Sequence, residues 1–97
     1  MGKLNAAEIK NGLKEIAQWT KKGSAITCTY QFKDFPAAMK FMGAVAKIAE
    51  KAQHHPDINI RWNEVMLRLT THDQGGLTDK DFSAAKKFDD ASVRTMS

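Results

Sequence analysis

EKAQHHPDINIRW, residues 50–62, begins as the end of a helix and finishes as a strand, with His54, His55 and Pro56 at the change. Upstream of it, Asp34 is a good N-cap, Pro36 is tolerated in a first turn, and only Gly43 interrupts the run to about Gln53. That pattern predicts a long helix. Phe35, Ala38, Met39, Met42, Val45, Ala46 and Ala49 form one apolar face of it, widened by Phe41, Ile48 and Ala52. The stripe is wider than one sheet face needs, so either a partner subunit or another helix of the chain takes up the excess. Downstream, Ile58, Ile60 and Trp62 alternate with Asp57, Asn59 and Arg61, and then Val65, Leu67, Leu69 and Thr71 alternate with Met66, Arg68, Thr70 and His72. A period of two predicts two strands, joined at Asn63-Glu64 as a hairpin.

The flanking segments extend the same alternation of elements. Leu4, Ile9, Leu13 and Ile16 recur at helical spacing behind Asn5, a cap residue, which predicts a short first helix. Ile26, Cys28, Tyr30 and Phe32 share one face of a strand and Thr27, Thr29 and Gln31 the other, while Gly23-Ser24 supplies a tight turn from a strand near residues 19–22. After a turn at Gly75-Gly76, Thr78 caps a last helix with Leu77, Phe82, Ala85 and Phe88 inward. Helix, two strands, helix, two strands, helix predicts an α+β two-layer domain: a four-stranded antiparallel sheet with three helices on one face. At 97 residues the whole chain, 1–97, reads as a single domain, and so small a core makes homo-oligomerisation a reasonable source of extra stability.

Hydrophobic residues at 42% against 27% charged mark a folded globular chain and not a disordered one. Cys28 has no second cysteine to pair with and reads as core. With no charged-then-apolar leader in view, the cytoplasm is the expected compartment. Gly2 is followed by Ala6 where a myristoylation signal has Ser or Thr, and no apolar run reaches membrane-spanning length. The net charge of +4 is carried by lysines spread along the chain, among them Lys3, Lys14, Lys21, Lys47 and Lys80. A charge so distributed permits nucleic-acid contact without arguing for it.

A hairpin closed at Asn63-Glu64 pairs Trp62 with Val65, Ile60 with Leu67 and Ile58 with Leu69, and its extension sets His55 opposite His72. His54 falls at the helix end with Glu50 four residues earlier, a spacing at which a carboxylate orients an imidazole. Pro56 pushes His55 out of helical geometry. All three histidines are therefore expected at one end of the sheet. Singly, each has a structural explanation. His54 complements a helix dipole, His72 is a polar strand end, and Asp81 stands at capping-box spacing from Thr78. Convergence is what points to function. Adjacent histidines across a helix break are poorly placed for facial metal coordination, whereas imidazoles suit general acid/base work. No Ser or Cys lies at a nucleophile elbow, and Gly75-Gly76 is too short for a phosphate-binding loop.

Glu50 followed by KAQHHP, then Trp62, TTH at 70–72, GGLT and Asp81 resembles the signature of the pterin-4a-carbinolamine dehydratases, and FKDFPAAMKF upstream is similar to the family as well. The resemblance implies dehydration of 4a-hydroxytetrahydropterin to the quinonoid dihydropterin in tetrahydropterin recycling, with no metal and no organic cofactor. It implies that His54, His55 and His72 are the active-site histidines, Glu50 a supporting carboxylate and Asp81 a later aspartate. Pro56, Thr71, Asp73 and Gln74 fall where family members line the pterin cleft. Two positions depart from many animal members: Gln53 replaces an acidic residue and Ile58 a tryptophan, leaving Trp62 or a neighbouring subunit to supply stacking. Family members assemble as dimers and tetramers, and animal members double as dimerisation cofactors of a homeodomain transcription factor. A non-enzymatic interaction module is thus the alternative reading, with neither direct nucleic-acid binding nor a membrane implied.

Overall fold

Asn5 opens the fold with a full capping box: its side chain accepts from Glu8 N–H and the Glu8 carboxylate accepts from Asn5 N–H, both at 2.9 Å. The structure, a computed structural model, describes residues 2–96. Helix α1 (Ala6–Glu15) leads into strands β1 (Thr20–Lys22) and β2 (Ala25–Gln31), then helix α2 (Phe35–Ala52), strands β3 (Asp57–Arg61) and β4 (Glu64–Leu69), a 3₁₀ turn at His72–Gln74, and helix α3 (Asp79–Met96). The sheet order is β1-β2-β4-β3, antiparallel throughout. This is the α+β two-layer arrangement expected.

The inward row of β2, Ile26, Cys28 and Tyr30, meets Leu69, Leu67 and Val65 of β4 in register. Over these residues pack Ala38, Phe41, Val45 and Ala49 of α2 and Phe82, Ala85 and Phe88 of α3, all buried. Phe41 stands against Tyr30 and Phe32 at centroid distances of 4.8 and 5.1 Å, within the range of favourable ring contact. Asp89 fastens α3 to the sheet by accepting from Trp19 Nε1 at 3.0 Å and from the Tyr30 hydroxyl. The wide stripe on α2 is only partly covered by α3, because Phe35, Met39 and Ala46 stay exposed. Among the described residues no helix is long and apolar enough to cross a membrane.

The hairpin corrects the predicted register by two residues. Ile58 pairs with Leu67 and Ile60 with Val65, so the turn is Trp62-Asn63 and not Asn63-Glu64. A shift of two keeps every side chain on its face, so apolar alternation does not distinguish the registers. Asn63 decides between them. Its carbonyl accepts from Phe32 N–H and its side-chain amide donates to the Phe32 carbonyl, both at 2.8 Å, which anchors the turn to the end of β2. Trp62, placed in the strand by its periodicity, instead takes φ 54° in the turn and is 65% exposed. Positive φ at the first central residue of a two-residue hairpin is what a II′ turn requires.

Candidate functional site

Helix α2 ends before either histidine. Gln53 adopts φ 53°, ψ 41°, its N–H reaches the Glu50 carbonyl, and His54 N–H reaches the Ala49 carbonyl at 3.1 Å. These two bonds form a Schellman motif with a left-handed residue just past the last turn. The chain therefore reverses at Gln53, upstream of Pro56, and the pairing expected from helical spacing is replaced. His54 does not meet Glu50; the Glu50 carboxylate bonds His55 Nε2 instead.

His54 turns inward to Asp81. Its Nε2 lies 2.6 Å from Asp81 Oδ1, with the carboxylate fully buried and the imidazole 11% exposed. The other oxygen, Oδ2, accepts from the Thr71 hydroxyl at 2.8 Å and from Thr78 N–H at 2.9 Å. The Thr71 and Thr78 hydroxyls are themselves 2.9 Å apart. A buried carboxylate is tolerated when both of its oxygens are hydrogen-bonded in this way. Asp81 is thus both the capping-box acid of α3 and the tie between the end of α2, the segment after β4 and the start of α3. An ionised carboxylate only accepts, so a neutral imidazole facing one in this contact would donate from Nε2 and keep the lone pair of Nδ1.

His72 leaves the strand that was expected to carry it. Strand β4 stops at Leu69, Thr71 pairs in an isolated bridge with Gly76, and the residues between form the 3₁₀ turn, closed by Gly75 at φ 71°. Extension of the observed register sets His55 opposite Thr70, not His72. His72 still reaches the same end of the sheet, because it directly follows Thr71, whose hydroxyl touches Asp81. Its side chain is exposed, as are those of Asp73 and Gln74, whereas Pro56 is buried.

The grouping thus comprises one buried imidazole-carboxylate pair, one exposed pair and an exposed imidazole without a carboxylate partner among the described residues. Among those residues no three His, Cys, Asp or Glu side chains are gathered so as to hold a metal ion. A cavity of about 330 Å³ opens beside His54, bordered by Ala52, Lys80, Ser83 and Lys87. Spacing alone missed the His54-Asp81 contact. By spacing Asp81 stood out only as a cap residue and came to the site through the resemblance, and the signal that could have revealed more was the surplus of hydroxyls at Thr71 and Thr78 around it.

Imidazoles paired with carboxylates stand here at the end of a helix-backed sheet on an α+β scaffold, a grouping with the chemistry to pass protons. The chain belongs to the pterin 4 alpha carbinolamine dehydratase family, whose model matches residues 2–91. A relative from Roseiflexus sp. (strain RS-1) that bears the family's name is 50% identical over 88 residues, covering 91% of this chain and 95% of its own. Another, from Sulfurisphaera tokodaii, is 44% identical over 90 residues, covering 93% and 97%. Among solved structures, the transcriptional coactivator/pterin dehydratase from Brucella melitensis superposes with a TM-score of 0.91 at 34% identity, over 94% of this chain and 99% of that one. A pterin dehydratase-like protein identified as a RuBisCO assembly factor in the alpha-carboxysome aligns at 0.66 with 20% identity, over 76% and 86%, a likeness of fold alone.

Proposed function

We propose that this protein dehydrates 4a-hydroxytetrahydropterin to the quinonoid dihydropterin, with its own histidines as acid and base. The C4a–O bond breaks as the hydroxyl takes a proton and leaves as water. A ring N–H gives its proton to a base, and the electron pair of that bond forms the new C=N. Such a step needs two proton-transfer groups within reach of one carbon and nothing redox-active. It asks for no metal and no organic cofactor.

The observation that carries this reading is the Asp81-centred tie, which holds His54 rigidly and brings its chain neighbour His55 and Thr71's neighbour His72 to one end of the sheet. His55 and His72 are the exposed imidazoles, so they take the proton-transfer roles. His54 and Asp81 position them, and Glu50 orients His55. Asp73 and Gln74 form the exposed pterin-lining part of the same surface, backed by Pro56 and Thr71, which are buried. Family membership and the names borne by the relatives support the substrate class. The protein acts as a homo-oligomer of 1–97 domains in the cytoplasm, in tetrahydropterin recycling. The test is direct: purified protein should accelerate loss of freshly generated 4a-hydroxytetrahydropterin over the buffer rate, and a rate equal to buffer refutes the reading.

A second reading, a non-enzymatic interaction module, is favoured by one feature. Phe35 and Met39, one turn apart on α2, are each 45% exposed, and paired large apolar side chains on a surface mark contact sites. A stoichiometric protein partner recovered with the chain, together with no dehydratase activity, would select it.

A further inference from the structure

Lysines that are scattered in the sequence come together on the outside of the helix pair. Helices α2 and α3 run in opposite directions, with Ala52 beside Ala84 at one end of their groove and Lys40 beside Thr95 at the other. Three hollows follow one another along it. The first, about 330 Å³, contains His54, Lys80 and Lys87. The second, about 210 Å³, is bordered by Lys51, Lys87 and Arg94. The third, about 430 Å³, is bordered by Arg94, Lys40 and Lys47. Lys87 borders the first two and Arg94 the last two, so the three hollows are neighbours along the helix pair. Lys80, Lys87 and Arg94 are seven residues apart, which places them on one face of α3 roughly 10 Å from one to the next. Only two carboxylates, Asp79 and Asp90, stand in this row, and among the described residues none of its six cations lies within 4.0 Å of an acidic group.

Six cations against two carboxylates leave the row net positive, and an anion laid between the cations relieves their repulsion. The row starts at His54. It is one side chain wide on each wall and interrupted by two acids, which suits a thin anionic chain better than a nucleic-acid duplex. We infer that the groove receives the side chain of the substrate: the protein prefers a reduced pterin whose substituent ends in phosphate or carboxylate, its ring at the exposed histidines His55 and His72, its substituent passing His54 into the groove and its anionic end between Lys87 and Lys51 or Arg94. This rests on the pterin reading above and adds the class of pterin.

The experiment measures binding and turnover separately, with a reduced pterin bearing a free hydroxyl, the same pterin as its phosphate monoester, and one ending in glutamate. Exposed ion pairs contribute modestly, so two of them are expected to tighten Kd for the anionic forms by roughly three- to ten-fold, less at high salt. The phosphate and glutamate arms distinguish which anion is favoured. In Lys87→Gln and Arg94→Gln the ratio of affinities for anionic over neutral pterin should fall towards one, with the change in KM rather than kcat. Equal affinity for all three pterins in the unaltered protein, or a preference that both variants retain, overturns the inference. Tighter binding of a short DNA duplex than of the phosphorylated pterin also overturns it. Binding preference without turnover would refute the dehydratase reading and leave the groove assignment standing; turnover without preference would do the reverse.

Discussion

Asp81 Oδ1 and His54 Nε2 are 2.6 Å apart, and solvent reaches the carboxylate nowhere. The contact joins residues 27 positions apart in the chain and ties three elements by one side chain, since the second oxygen holds Thr71 and the first turn of α3. Asp81 therefore acts on both stability and the orientation of the neighbouring imidazoles.

Asp81→Asn retains the shape but can no longer accept on both sides, leaving a buried donor opposite Thr71 or His54. The expected loss of stability is about 2 kcal/mol, together with a fall in dehydration rate of about ten-fold or more. Urea unfolding and a dehydratase assay check both. A variant of unchanged rate would detach Asp81 from the chemistry.

Gln53 is a non-glycine residue in left-handed conformation at the end of α2. Its amide donates to the Glu50 carbonyl at 2.6 Å, which offsets part of the strain. Gln53→Gly is expected to raise stability by about 0.5 kcal/mol, because glycine adopts positive φ without penalty. A rise in Tm is the readout, and a fall would contradict the strain argument.

Trp62 also takes positive φ, at the turn seven residues beyond His55. At strand rise that separation is about 20 Å, too far for its indole to stack on a pterin held by the same subunit's histidines. Trp62→Gly should stabilise the turn by up to about 1 kcal/mol and leave the monomer-normalised dehydration rate within about two-fold. A large loss of rate would mean that a neighbouring subunit's Trp62 reaches the site.

Burial pushes the Cys28 thiol up from 9.0 to about 11, against a partly opposing hydrogen bond with Tyr30 and with a smaller upward push from the Asp89 charge. Burial, then the bond to Asp89, raises the Tyr30 hydroxyl in the same direction. Both groups hold in the folded state protons that the unfolded chain gives up. The thiol's contribution is complete below pH 9 and declines as pH rises from there towards 11, and the Tyr30 hydroxyl's begins to decline only above pH 10. From the thiol alone the decline approaches roughly 1 kcal/mol per pH unit. Urea midpoints across that range should fall, and Cys28→Ala should flatten the slope whatever it does to the absolute stability. A slope unchanged in the variant would contradict the assignment.

The elements were legible because each is written in short-range terms. Asn5 and Asp34 cap helices, Gly23-Ser24 turns a hairpin, and Ile26 to Phe32 alternate cleanly. What was not legible depends on long-range bonds that no local period encodes. Asn63 locking onto Phe32 moved the β3-β4 register by two, and the reversal at Gln53 gave Glu50 to His55 and left His54 to Asp81. The expected gathering of histidines survived for a different reason from the one its register gave. Thr71, not strand pairing, ties the His72 segment to Asp81.

The most direct measurement is the rate of 4a-hydroxytetrahydropterin dehydration by the unaltered protein, His55→Ala and His72→Ala, at equal concentration of folded protein. Acceleration over buffer by the unaltered chain, with each variant lower by about 100-fold or more, is the expected result for proton-transfer groups. Full activity in both variants would contradict the assignment of these histidines to the chemistry.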